Sequence, residues 1–125
     1  MRVVYQGAPG AYSHVAAQER LPDLESRGLD DFAAVAAAVA AGRAELGLLP
    51  VWNSIVGAVT SATRVLAEWP GAEVIDRFDQ RIVHCLVALD GADIASLRWA
   101  ESHPAALAQC ARWLSARRLA PRAAA

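Results

Sequence analysis

The chain alternates between two hydrophobic periods. A β-branched run, "RVVYQ" at residues 2–6, passes through "GAPG" into a helix-patterned stretch, and the same change recurs further along. Strands that alternate with helices build βαβ units. Parallel strands need a crossover, and the crossover is usually a helix. An α/β fold with a parallel sheet is therefore the expected class.

The elements follow from their punctuation. A first helix is expected over residues 11–21, closed by Pro22. Residues 23–29 are ambiguous and leave room for a short strand. A second helix is capped by Asp30 or Asp31, carries Phe32, Val35, Ala36, Val39 and Ala40 at helical spacing, and ends at Gly42. "AELGLL" (44–49) reads as a short strand. A third helix is expected to start at Val56 or Gly57, with Val59, Ala62, Leu66 and Trp69 as its apolar stripe and Pro70-Gly71 as its stop. Residues 73–89 read as two strand-like segments without a breaker. "LRWAES" (97–102) is another strand. "HPAALAQCARWLSA" is a fourth helix whose start is marked by Ser102 and Pro104. The tail "RRLAPRAAA" shows no period. A composition change near Gly71 divides the chain into a first lobe, 1–72, and a crossover with part of a second lobe, 73–125.

Composition narrows the function classes. A chain of 125 residues, 55% of them hydrophobic, can build one modest core. A net charge of −1 gives no footprint for nucleic acid or a membrane surface. The basic residues are scattered, apart from Arg112, Arg117, Arg118 and Arg122. No signal peptide opens the chain, and no apolar run reaches the ~18 residues that span a bilayer. Cys85 and Cys110 lie far apart and read as buried free thiols of a cytoplasmic protein. His14, His84 and His103 pair neither with one another nor with the cysteines, so no metal site is expected.

Three junctions carry small or polar residues: "GAPGAYS", "PVWNSIVG" and "ESHPA". In an open parallel sheet, ligands bind beyond the carboxyl ends of the strands. Helix starts there offer N–H groups and a dipole to anions. Gly7, Gly10 and Gly57 allow close approach to the backbone. Asn53 and Ser54 add directional hydrogen bonds. A crevice for a small anionic molecule is one reading. The other is ordinary turn and cap chemistry, with Ser13 bonded to backbone, His103 starting a helix, and Tyr12 and Trp52 packing.

In their order, these segments resemble the catalytic domain of prephenate dehydratase. The likeness rests on Tyr5-Gln6-Gly7-Ala8-Pro9-Gly10-Ala11-Tyr12-Ser13, on Pro50-Val51-Trp52-Asn53-Ser54 with Gly57 after it, and on the run from Ser102-His103-Pro104-Ala105-Ala106 through Leu107-Ala108-Gln109-Cys110. The resemblance extends from Arg2 to about Leu114. It implies a two-lobed fold of the periplasmic-binding-protein type (type II), with the first lobe and part of the second in this chain. It implies a cytoplasmic lyase of phenylalanine biosynthesis that converts prephenate to phenylpyruvate, losing carbon dioxide and water, without a cofactor. Arogenate is the substrate of close relatives.

Asn53 and Ser54 then become the catalytic candidates. Gly10, Ala11, Ser13, Gly57, Ser102, His103, Ala106 and Leu107 become the substrate-binding ones. The resemblance also implies a homodimer. The sequence departs from the family pattern at Trp52, where the family has glutamate, and at Ala105, where it has glutamine. The family's later Thr-Arg-Phe segment, whose threonine assists departure of the ring hydroxyl, does not occur in these residues, so a truncated catalytic domain of low activity is expected. Two other readings stand beside this one: a non-aromatising prephenate decarboxylase, and a non-catalytic module that binds a carboxylate or assembles with a partner.

Overall fold

The computed structural model describes residues 1–124. They form two compact units, Met1–Arg81 and the residues from Ile82 onward. The fold is α/β with parallel strands in both.

In the first unit β1 (Arg2–Gln6) is followed by α1 (Tyr12–Arg20), β2 (Glu25–Leu29), α2 (Phe32–Ala40) and β3 (Leu46–Gly47). The sheet order is β2-β1-β3, all parallel. The register runs from Arg2↔Glu25 to Gln6↔Leu29 on one side of β1, and pairs Val3↔Leu46 and Val4↔Gly47 on the other. The apolar run of β1 follows from cover on both faces. Val4 joins Val35, Ala38 and Ala44 in one cluster against α2, whereas Tyr5, on the opposite face, stacks on His14 of α1. Val3, Val4, Tyr5 and Val35 are all at most 2% exposed. Each such side chain contributes about 1.5–3 kcal/mol through burial.

Local signals set the ends of α2. Asp31 Oδ1 accepts the Ala34 N–H at 2.7 Å, a cap of about 1 kcal/mol. At the other end the Gly42 and Arg43 N–H groups reach back to the Val39 and Ala38 carbonyls, with Gly42 at φ +74. This is the left-handed stop that glycine permits.

The third helix, α3 (Thr60–Ala67), starts later than the apolar stripe predicts. Residues 52–58 fold first into a hairpin of β4 (Trp52–Asn53) and β5 (Gly57–Ala58), paired antiparallel. Gly57 at φ +79 and the Asn53 side chain close it. The stripe itself is turned inward, with Ala62 fully buried.

Residues 73–89 pair with no strand among the described residues. Their β-branched content records a preference for cover, and a strand forms only where a partner supplies its ladder. Val74, Ile75, Val87 and Leu89 are exposed. Arg20 holds the start of this stretch to the first unit, with Asp76 at 3.8 Å and the Phe78 ring centroid at 4.4 Å.

The second unit holds a 3₁₀ turn (Ile94–Ser96), β6 (Trp99–Ser102), α4 (Pro104–Gln109), α5 (Ala111–Ala116) and β7 (Ala120–Ala123). Strands β6 and β7 are parallel, from Trp99↔Ala120 to Ser102↔Ala123, with the helices as crossover. The single helix expected here is divided at Cys110, which ends α4 and begins α5 with ψ near 5°. The aperiodic tail proves to be a strand. Arg118 takes a left-handed turn at φ +54, and Leu119, 3% exposed beside Leu114, anchors the return. Cys85 is exposed rather than buried, because the segment around it lacks cover, while Cys110 is half-buried; both are free. No described helix is long and apolar enough to cross a membrane.

Candidate functional site

In the first unit the parallel pairing sends β1 and β3 off the same sheet edge. The segments 7–13 and 48–57 therefore both begin at that edge. The strand order reverses there. From β1 the chain moves one way to β2, then returns past β1 to β3. An open α/β sheet binds its ligand at such a switch point, with β1 and β3 flanking it.

The first segment is a tight turn leading into a helix. Gly7 (φ +124) donates its N–H to Leu29 O at 3.0 Å, and Ala11 donates to Ala8 O at 3.1 Å. Gly10 (φ +92) donates to His14 Nδ1 at 2.8 Å. Ala11 is the N-cap of α1 and lends no side-chain bond. Ser13, half-buried, lies in the first helical turn. The Ser13 and His14 N–H groups of that turn have no intrahelical acceptor, as at any helix start. They form an anion-attracting end without a formal charge.

The second segment is not the helix start that its sequence implies. Asn53 Oδ1 accepts the N–H groups of Ile55 at 2.9 Å and Val56 at 3.4 Å. Those donors are thus consumed inside the hairpin. What remains to a ligand is the Asn53 amide NH₂, the Ser54 hydroxyl at the exposed tip, and the bare backbone of Gly57. Trp52 is 71% exposed. The rim of its indole faces Gly57, where an added Cβ would stand 3.7 Å away.

The third segment lies in the second unit. Ser102 ends β6, and its carbonyl accepts the Ala124 N–H at 2.9 Å. His103, not Ser102, caps α4: its Nδ1 accepts the Ala105 N–H at 3.1 Å. Ala106 and Leu107 are half-buried in α4. In the same unit His84 Nε2 meets Gln109 Oε1 at 2.5 Å.

The structure therefore brings Gly10, Ala11 and Ser13 to the sheet edge from which the hairpin of Asn53, Ser54 and Gly57 also leaves. It keeps Ser102, His103, Ala106 and Leu107 together on the second unit. Sequence reading passed over two contributors. His14 sits four residues after Gly10, one helical turn along, a spacing that brings its ring back over the turn. Gly28 interrupts a strand, the usual sign of a close backbone approach. A Cβ there would stand 2.1 Å from Gly7 O. No group of three or more metal-ligating side chains is found among the described residues.

The family model and the curated relatives point to one family. The family model described as "Prephenate dehydratase" matches residues 3–125. A "Bifunctional N-acyl-homoserine lactone acylase/prephenate dehydratase" of Komagataeibacter europaeus is 37% identical over 107 residues, covering 86% of this chain and 38% of that protein. "Arogenate dehydratase 1" of Petunia hybrida is 37% identical over 110 residues, covering 88% of this chain and 26% of that protein. A solved structure described as "GqqA- a novel type of quorum quenching acylases" superposes with a TM-score of 0.80 at 34% identity, covering 99% of this chain and 45% of that one. The chain thus spans between a quarter and two fifths of the length of these curated relatives.

Proposed function

We infer the function from one premise: this chain belongs to the prephenate dehydratase family. The reading is that it supplies substrate-binding and catalytic residues for the decarboxylating dehydration of prephenate to phenylpyruvate. Arogenate is the alternative substrate, as the names of the plant relatives indicate. The observation that carries the reading is the shared departure of segments 7–13 and 48–57 at the switch point of the first sheet.

The chemistry fits neutral donors. Prephenate carries two carboxylates. The ring carboxylate leaves as carbon dioxide, its bonding electrons enter the ring, and the ring hydroxyl departs with a proton as water. Aromatisation drives the step, so the protein orients the ring and assists the leaving hydroxyl. Ser13 is assigned to one carboxylate through the α1 start, with Gly10 and Ala11, whose N–H groups are already bonded to His14 Nδ1 and Ala8 O, shaping the backbone beside it. Asn53 and Ser54 are assigned to the reacting end, and Gly57 to close approach. Ser102, His103, Ala106 and Leu107 are assigned to substrate from the second unit. A periplasmic-binding-protein type of domain, with a first lobe at 1–72 and a crossover and part of a second lobe at 73–125, belongs to the same reading, as does a homodimer. Free cysteines fit a reducing, cytoplasmic setting.

The test is a graft. Residues 1–125 replace the matching part of the Komagataeibacter relative, and phenylpyruvate is followed from prephenate. Turnover that Asn53→Ala lowers at least ~10²-fold supports the assignment. A folded graft without turnover defeats it. A dihydro product in place of phenylpyruvate points to the non-aromatising decarboxylase. A second reading has its own support, since a relative and a solved structure are both described as acylases. Hydrolysis of an N-acyl-homoserine lactone by the same graft tests it.

A further inference from the structure

We propose that His14 is a positioning residue for the turn at residues 7–10. Its Nδ1 holds the Gly10 N–H and thereby fixes how the start of α1 is presented to a substrate carboxylate. The holding of the turn stands on geometry alone, whereas the presentation to a carboxylate rests on the function proposed above.

The turn contains two glycines in the left-handed half of backbone space, Gly7 at φ +124 and Gly10 at φ +92. Such residues have the widest backbone freedom of any, so a defined turn needs pins. Gly7 is pinned to β2 through Leu29 O, and its carbonyl is pressed against Gly28, where no Cβ fits. At the far end Gly10 is tied by the 2.8 Å bond to His14.

The ring that makes this bond is itself held. It stacks on Tyr5 with centroids 5.4 Å apart and planes 19° from parallel. Tyr5 is 1% exposed and fixed in the sheet. An N–H donor at Nδ1 requires a lone pair there, so the neutral ring carries its proton on Nε2. The bond also commits the Gly10 N–H to the protein. The donors offered to an anion at the start of α1 are the Ser13 and His14 N–H groups, and their direction follows from the turn that His14 holds.

Two substitutions separate the ring's contributions. His14→Phe keeps an aromatic face over Tyr5 and removes the acceptor. His14→Asn removes the stack and places an amide oxygen where Nδ1 stood. In the 125-residue chain, ¹⁵N spectra are expected to show the His14 proton on Nε2. The Gly10 amide is expected to exchange with solvent about 3–10-fold faster in His14→Phe and near the unsubstituted rate in His14→Asn. Prephenate affinity, read by NMR titration, is expected to fall by a similar factor in His14→Phe and to recover in His14→Asn. A proton on Nδ1, or unchanged Gly10 exchange in His14→Phe, overturns the proposal. The tautomer decides it even where His14→Phe does not fold. Faster Gly10 exchange with unchanged prephenate affinity overturns the carboxylate role alone.

Discussion

At the scale of single residues, Asn53 carries two jobs that one substitution can separate. Its Oδ1 closes the hairpin through Ile55 and Val56, and its NH₂ is the donor assigned to substrate. Asn53→Asp keeps the acceptor and replaces the donor with a negative charge. The hairpin is expected to survive, with melting shifted little, while turnover of the graft falls at least ~10²-fold. Loss of melting temperature with turnover per folded molecule intact would mean that Asn53 is a turn residue only. Trp52 makes the opposite case. Its indole is 71% exposed and offers a single N–H donor. Trp52→Glu in the graft is expected to leave the product unchanged and stability within ~0.5 kcal/mol. A switch between phenylpyruvate and a dihydro product would show that this side chain sets the reaction path. Asn53 and Gly10 were legible as turn chemistry in the sequence. That Gly10 leans on His14 was not, because a histidine inside a helix pattern has many ordinary uses.

Among the elements, β1 and α2 were legible because period and cap coincide: an apolar run bounded by "GAPG", and Asp31 before an alanine-rich stripe ended by Gly42. The hairpin at 52–58 was not. Val56 and Gly57 continue the apolar pattern of α3, and only the side-chain turn at Asn53 breaks it. Residues 73–89 read as strands because β-branched content reports a taste for burial, whereas pairing depends on a neighbour. The strand β7 lay hidden for the converse reason, as "APRA" has no period and its pairing comes from the crossover. The first sheet also has an acid-sensitive clamp. Glu45, just before β3, accepts the Arg2 backbone N–H at 2.6 Å and donates its own N–H to Arg2 O. The Arg2 N–H bond, followed by Glu45's own N–H, the N-terminal charge and the Arg2 guanidinium, holds its carboxyl below the usual value of 4.5. A folded state with a lowered carboxyl pKa binds fewer protons than the unfolded chain. Its contribution is therefore complete above the unfolded value and fades as pH falls through the folded one. Urea melts of Glu45→Gln are expected to show less loss of stability on acidification below about 4.5 than the unsubstituted chain. Equal acid slopes would remove Glu45 from the account.

For the whole molecule, binding and turnover part company. The resemblance assigns general-acid help to a threonine in a Thr-Arg-Phe segment, which these 125 residues do not contain. Such help typically contributes ~10²–10⁴-fold. His103 is no ready substitute at Nδ1, which is occupied as the acceptor for Ala105. A polypeptide of these 125 residues alone is expected to form phenylpyruvate at a rate close to the uncatalysed one. Turnover of ~1 per second or more would place the acid within the chain. Binding asks less, since the α1 start and the hairpin amide need no further chemistry. The proposal is that segments 7–13 and 50–57 of the first unit, and separately 102–107 of the second, contact a dicarboxylate, and residue-resolved titration of the ¹⁵N-labelled chain with prephenate puts it to the test. Prephenate is expected to bind the folded chain, with amide shifts concentrated at Ala11, Ser13, Asn53, Ser54, Gly57 and Ser102–Leu107. No shifts in the folded chain, or shifts confined to other residues, would contradict it.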